Sequence, residues 1–371
     1  MSSTPGIAIL GAGIFAKEAH LPGLASLGDN GLPLKAVYSR SEKSARAFAE
    51  SAKETLRLSQ PPSVYYDANP SGDLDTLLER DDIAAVVIAL PITTQPAIIL
   101  KALGKGKHVL SEKPVAPDVE QGLDLIRQYE AQYKPKGLVW RVAENFEAEP
   151  GFQAAGKAIR DGKIGDVQFF RAVVANYVSE ETKWYKTPWR TVPDYQGGFV
   201  LDGGVHTIAA LRTILPHPLT HLSSFASLNK EYLKPHDTIN AIVKSDGHYH
   251  GSVDMTWGFP TEKKPTTDAF VVSGSKGWLT INNSWAPPLV KIVIASNKAS
   301  AEEKDQVVQE VIEEAGRGVE VELRGFFDAV SGKDDGLGLG NPREALVDVA
   351  FIQAALTSDG SLVDLRKLVA A

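Results

Sequence analysis

Two short segments carry residue types whose spacing points to redox chemistry. The apolar run His108-Val109-Leu110-Ser111 leads directly into Glu112-Lys113-Pro114, so a lysine stands at the end of a predicted strand. Near the N-terminus, Gly11-x-Gly13-x-x-Ala16 lies between an apolar run and a helical pattern, with Ile14 and Phe15 filling its variable positions. In such a loop the first glycine permits a tight turn and the second lets a pyrophosphate approach the backbone. The small third residue lets the helix pack closely on the strand. The helix N-terminus then offers free N–H groups to the phosphates. A lysine in the same domain as a nicotinamide can move the proton of an alcohol while the cofactor moves the hydride. Burial and the positive nicotinamide ring favour that use, because both disfavour the ammonium form.

A second constellation is Gly197-Gly198-Phe199-Val200-Leu201-Asp202-Gly203-Gly204-Val205-His206. Asp202 and His206 are four apart and share a face if the segment is helical. Thr207 to Leu215 has helical content, which sets Asp202 at a helix start, either as a cap or as a reactive carboxylate. A helix N-terminus also disfavours an imidazolium at His206. No third ligand at a metal-site spacing joins the pair, so no metal is expected. Upstream, Trp184-Tyr185-Lys186 and Trp189-Arg190 suit a hydroxylated substrate through stacking and hydrogen bonds, or pin a loop. Glu144-Asn145 falls at the junction of two patterns and is placed to reach either ligand. His20, in the first helix, is expected to be structural and remote from the nicotinamide.

The elements that must position these residues alternate through the first third of the chain. Strands are predicted at Gly6 to Leu10, Leu34 to Ser39, Val64 to Tyr66, Ile83 to Leu90, Lys107 to Ser111 and Gly137 to Ala143. Helices lie between them, the first over Ile14 to Leu27. This alternation predicts a doubly wound parallel sheet, a Rossmann-type α/β domain over residues 1–146. Beyond Glu147 one helix precedes longer strand-like runs from Val167 to Ala295, and two helices end the chain near Gly318 to Val330 and Pro342 to Leu356. That predicts an α+β domain over residues 147–371 with an open, mainly antiparallel sheet. Ser300 to Ala315 reads as a charged surface excursion.

The second strand ends Val37-Tyr38-Ser39-Arg40, where an NAD enzyme usually places an acidic residue for the ribose 2′-hydroxyl. No carboxylate occurs before Glu42. Ser39, Arg40 and Lys43 instead suit a 2′-phosphate, so NADP is the expected cofactor, with NAD kept as the second choice.

Composition bounds the alternatives. With 371 residues, two domains are expected, and the 43% hydrophobic fraction can build a core in each. The formal net charge of −7 leaves no basic footprint for nucleic acid. The chain has no cysteine, which removes disulfides, thiolate metal sites and cysteine nucleophiles. Neither a secretory pattern nor a membrane-length apolar run is present, and a soluble cytoplasmic protein is the expectation.

Together these segments resemble the glucose–fructose oxidoreductase, inositol dehydrogenase and rhizopine-catabolism (Gfo/Idh/MocA) family. The landmarks run in order through nearly the whole chain: the Gly11 loop, Ala89-Leu90-Pro91, Glu112-Lys113-Pro114, Gly162-Lys163-Ile164-Gly165, the Asp202-x-x-x-His206 segment and Asn341-Pro342-Arg343-Glu344-Ala345-Leu346. Val142-Ala143-Glu144-Asn145-Phe146 resembles fungal and other eukaryotic members. The resemblance implies an NAD(P)-dependent oxidoreductase acting on sugars or polyols, with a homodimer or homotetramer formed through the second domain's sheet. It implies that Lys113 is the catalytic lysine and that Asp202 and His206 hold the substrate and exchange its proton. Glu144, Trp189 and Arg190 complete the expected substrate set. Leu90, Pro91, Thr93 and Gln95 join Glu112 as expected nicotinamide-side contacts, and Gln95 stands where many members carry histidine. The alternatives from other classes are a non-catalytic, dinucleotide-responsive regulator of the same fold and a reductase for a non-sugar carbonyl or dihydrodiol. The cofactor assignment has a direct test: Arg40→Ala should weaken NADP in a fluorescence titration while leaving NAD unchanged. Equal affinity of the intact protein for both cofactors would remove it.

Overall fold

A computed structural model describes residues 5–264, 269–285, 288–297, 307–333 and 336–370. The chain divides into two compact units. One is Met1–Asn145 with Val319–Leu346, and the other is Phe146–Gly318 with Val347–Ala371.

In the first unit strands and helices alternate: β1 (Gly6–Leu10), α1 (Leu21–Leu27), β2 (Leu34–Tyr38), α2 (Glu42–Leu56), β3 (Ser63–Tyr65), α3 (Leu74–Leu78), β4 (Ile83–Ile88), α4 (Gln95–Gly104), β5 (His108–Glu112), α5 (Val119–Gln128) and β6 (Trp140–Ala143). The six strands are all parallel, in the order β3-β2-β1-β4-β5-β6. β4 reads Ile-Ala-Ala-Val-Val-Ile, apolar throughout, as expected of a central strand covered on both faces. Helix starts are fixed locally. The side chains of Ser41, Asp73 and Asp118 accept hydrogen bonds from the backbone N–H three residues on, at the heads of α2, α3 and α5. The first helix does not run uniformly from Ile14. A π-helical turn covers Ala16–His20 before α1 begins.

The second unit opens with α6 (Pro150–Arg160), β7 (Val167–Ala175), the short α7 (Pro188–Thr191) and α8 (Phe199–Ile214). Seven strands follow: β8 (Leu219–Ser227), β9 (Thr238–Ser245), β10 (His250–Thr256), β11 (Ala269–Gly274), β12 (Gly277–Trp285), β13 (Pro288–Asn297) and β14 (Val307–Ala315). With β7 and the terminal β15 (Val363–Asp364) they form a nine-stranded sheet, β14-β13-β12-β11-β7-β10-β9-β8-β15. Every pair is antiparallel except β7 with β10. The alternation is clean in β9, where Ile239, Ala241 and Val243 are buried and Asn240, Ile242 and Lys244 are exposed. α6 and α8 pack together and on the buried face, where Phe152 of α6 sets its ring against Phe270 of β11.

Ser300 to Ala315 is not simply a surface excursion. Val307–Ala315 is β14, paired along its length with β13 at the sheet edge, and residues 300–306 lie outside the described residues. The charged side chains that hid the strand are what an exposed edge carries. The chain then returns to the first unit. In α9 (Gly318–Val330), Leu323, Phe326 and Phe327 join the same hydrophobic cluster as Ile9, Leu24 and Phe48. α10 (Pro342–Thr357) and the short α11 (Leu365–Val369) complete the molecule. Among the described residues, no helix is long and apolar enough to cross a membrane.

Candidate functional site

The first unit's sheet order reverses between β1 and β4, and the carboxyl ends of these strands define the crevice where open α/β sheets take ligands. The backbone there is tightly constrained. Gly11, at φ +116°, donates its N–H to the Tyr38 carbonyl at 2.8 Å. A Cβ at Gly11 would fall 2.1 Å from the Ala89 carbonyl oxygen. A Cβ at Gly13 would meet nothing within 4 Å, so the loop leaves open space on its outer side. These residues fit a dinucleotide pyrophosphate: a turn that excludes side chains, open backbone, and a helix beginning just beyond.

At the end of β2, Ser39 is half-buried and Arg40 and Lys43 are exposed. The Tyr38 hydroxyl donates to Asp67. Burial, then this hydrogen bond, push the Tyr38 phenol up, while the charge of Arg40 acts in the opposite sense and is therefore felt at the strand end. Asp67, on the segment after β3, is a carboxylate near this corner that the local reading around Ser39 did not consider. It is engaged by Tyr38.

At the end of β5, Glu112 is buried and Lys113 is half-buried. The Lys113–Pro114 peptide is cis. His20, expected to be remote, reaches this corner: its Nε2 lies 2.7 Å from Glu112 Oε1. A helix after β1 thus touches the end of β5, across β4, which linear spacing does not reveal. Gln95 opens α4 beyond the carboxyl end of β4, and Leu90, Pro91 and Thr93 line the turn before it. Gln95 is 1% exposed, and neither its amide nitrogen nor its amide oxygen has a protein partner among the described residues. Glu144, just after β6, is buried. The first unit therefore sets Gly11, Gly13, Leu90, Pro91, Gln95, Glu112, Lys113 and Glu144 at or beyond the carboxyl ends of its strands.

In the second unit, α8 begins at Phe199, earlier than the sequence predicts. Asp202 is thus within the helix and does not cap it; its N-cap residue is Gly198. His206 is the eighth residue of the helix, beyond the first turn in which the terminal dipole acts, so the expected help from the helix end does not apply. Gly203 lets α8 press onto the sheet, since a Cβ there would lie 2.5 Å from the Trp257 ring. The Phe146 ring stacks on His206 with centroids 4.7 Å apart.

Asp202 pairs with Arg190: the Arg190 Nε donates to Asp202 Oδ2 at 2.7 Å, with the Arg190 side chain 12% and the Asp202 side chain 9% exposed. The guanidinium also stacks over Trp189 at 4.0 Å and lies 5.2 Å from the Trp184 ring centre. Tyr195 packs against Trp189, and its buried hydroxyl has no protein partner among the described residues. Burial, then the charge of Asp202, push its phenol up, so it stays a hydrogen-bond donor. The spacing of Trp184, Trp189 and Arg190 had marked this aromatic frame. Tyr195 was missed, since a lone tyrosine before two glycines carries no periodic signal. At the far end of α8, Arg212 reaches both Glu147 and Asp348 at 3.1 Å and anchors the helix. No group of three or more His, Cys, Asp or Glu among the described residues could hold a metal ion.

A parallel sheet in this strand order, with a glycine turn at its switch point, defines a dinucleotide-binding Rossmann domain, here followed by a mixed-sheet domain with its own polar frame. Residues 6–135 match the family model described as an oxidoreductase family with an NAD-binding Rossmann fold, and residues 152–280 match the GFO/IDH/MocA C-terminal domain. The chain is 38% identical over 367 residues to Dehydrogenase FPY6 of Fusarium mangiferae, covering 96% of this chain and 98% of that one. It is 30% identical over 258 residues to the dTDP-3,4-didehydro-2,6-dideoxy-alpha-D-glucose 3-reductase of Streptomyces violaceoruber, covering 68% and 66% of the two chains. The crystal structure of an oxidoreductase from Thermotoga maritima superposes with a TM-score of 0.79 at 30% identity, over 98% of this chain and 99% of that one. The chain belongs to the Gfo/Idh/MocA family and is an NAD(P)-binding oxidoreductase.

The Arg190–Asp202 pair makes a stability prediction. Arg190→Leu takes the guanidinium away from a buried carboxylate and should cost about 3 kcal/mol in urea unfolding followed by tryptophan fluorescence. Adding Asp202→Asn should recover much of that loss. An unchanged midpoint for Arg190→Leu would mean that the pair contributes nothing to folding.

Proposed function

We propose that the protein is an NADP-dependent oxidoreductase that transfers a hydride between a sugar, an aldose or a related polyol or carbonyl, and the nicotinamide. In this reading residues 1–146 serve the cofactor, and residues 147–371 serve the substrate and self-association. The observation that carries it is the placement of Lys113 at the carboxyl end of β5, beside a switch point whose glycine turn fits a pyrophosphate. The exposed Arg40, with no carboxylate in the chain from Ser39 to Ser41, favours the 2′-phosphate of NADP. The reductase relative named for a glucose derivative favours a sugar.

When bound, the nicotinamide accepts or donates the hydride at C4. The protein's own groups handle binding and the proton. The Gly11–Phe15 turn and the helix beyond it hold the pyrophosphate, while Leu90, Pro91, Thr93, Gln95 and Glu112 face the nicotinamide side. Lys113 polarises the reacting oxygen or shares its proton, and His206, steadied by Phe146, takes or returns the hydroxyl proton. Asp202 acts through Arg190: it holds the guanidinium over Trp189 and beside Trp184, a surface suited to stacking and hydrogen bonding with hydroxyl groups. Glu144 completes the set.

The outer face of the nine-stranded sheet favours self-association. Phe169, Phe225, Ile242, Trp278 and Val311 all stand on that face and are 38–64% exposed. An apolar face of this kind is what a homodimer or homotetramer covers.

Purified protein with NADP and a panel of aldoses and polyols should show substrate-dependent growth of absorbance at the nicotinamide band, with NAD slower. Lys113→Ala should lower turnover by roughly a factor of 100 or more, the range for a lost acid–base group, with NADP affinity within a few-fold. Full activity in that variant would refute the role of Lys113. NADP binding without turnover on any sugar would move the assignment to a non-sugar carbonyl or to a non-catalytic regulator.

A further inference from the structure

His20 is fully buried, at 0% exposure, and closes the π-helical turn that follows the glycine loop. Single π turns inside helices recur at functional sites. Its Nε2 contacts Glu112, 92 residues away, through a 2.7 Å hydrogen bond, and the Glu112 side chain is 10% exposed. A carboxylate only accepts, so the proton lies on Nε2. Nδ1 is buried with no protein partner among the described residues. A position filled only for packing has no need of a ring with an unpaired nitrogen, and an aliphatic side chain would serve it better. On the other side, Phe15 of the glycine loop sets its ring against the imidazole edge-on, with centroids 5.4 Å apart and planes at 86°. Phe15, His20 and Glu112 thus form a continuous contact from the pyrophosphate turn to the residue next to Lys113.

We propose that His20 is a positioning residue for the nicotinamide end of the site. Its Nε2–H fixes the Glu112 carboxylate, and with it the backbone from which Lys113 departs, and it ties that orientation to the glycine loop through Phe15. The inference rests on the oxidoreductase reading above. It requires no proton transfer at His20 and assigns it no contact with the reacting atoms.

Two polar variants of the full chain separate positioning from packing. His20→Gln places an amide N–H near the position of Nε2, whereas His20→Asn places its amide near Nδ1 and falls short of Glu112. His20→Asn should lower kcat by about 10- to 100-fold, the range expected for a small misplacement away from the chemistry, with KM for the sugar and NADP affinity within a few-fold. His20→Gln should recover most of that loss. Glu112→Leu should resemble His20→Asn, and the double variant should be no worse than either single one. Bound NADPH gives a readout that needs no substrate: its nicotinamide emission should fall in His20→Asn and return in His20→Gln. Wild-type kcat in His20→Asn, or equal loss in both variants in step with their melting temperatures, overturns the proposal. If no sugar is turned over, the sugar reading fails while the NADPH emission still decides the role of His20: a difference between the variants supports it, and equal emission in both removes it.

Discussion

No side chain fits at Gly11, and much of the first unit follows from that exclusion. The turn brings the backbone after β1 so close to Ala89 that a Cβ would sit 2.1 Å from its carbonyl oxygen. The strands on either side can then stay paired to their ends, with Ala89 donating its N–H to the Leu10 carbonyl at 2.8 Å. The helix that follows must start at once, and Ala16, fully buried, lets it lie against the sheet. Its π turn sets where His20 falls, and His20 sets Glu112. One backbone contact therefore governs both the surface offered to a pyrophosphate and the corner from which Lys113 projects.

The second unit uses the same device for another end. Gly203 and Gly204 sit between the two residues of chemical interest, and both pack where a side chain would collide, the first with Trp257 and the second with Ile352. The close approach fixes the depth of α8 on the sheet, and the helical repeat then presents Asp202 and His206 one turn apart. Asp202 is nearly buried, so it needs a partner, and Arg190 supplies one from the short helix α7. Two indoles cover the guanidinium. The carboxylate is thereby committed to holding Arg190, while the imidazole one turn on stacks on Phe146.

The features legible in the sequence were those with a period or a local steric requirement. The six parallel strands and the glycine turn follow from alternation, apolar runs and a local steric requirement. What escaped depends on contacts between distant segments. α9 reads as an amphipathic helix, but nothing in Leu323, Phe326 or Phe327 says that they close the core of the first unit rather than the second. β14 is defined by its pairing with β13, and its Glu-rich sequence resembles any exposed segment. His20 looks like a helical residue of no consequence until the fold carries it to Glu112. Asp202 and Arg190 were each marked as candidates, but their pairing needed three dimensions.

The first unit also holds polar atoms that its own chain does not satisfy, and their positions are instructive. His20 Nδ1 and both polar atoms of the Gln95 amide are buried without protein partners among the described residues, and both side chains belong to the segments that follow β1 and β4 at the switch point. Leaving a buried donor or acceptor unpaired costs about 1–3 kcal/mol, a substantial share of the marginal stability of a domain. Scattered packing faults would give no reason for the cost to fall at the two strands that flank the crevice. The cofactor site proposed above gives such a reason at Gln95, whose amide stands at the head of α4, whereas His20, at 0% exposure, acts through Glu112. In that arrangement part of the binding free energy is returned as stability of the folded state.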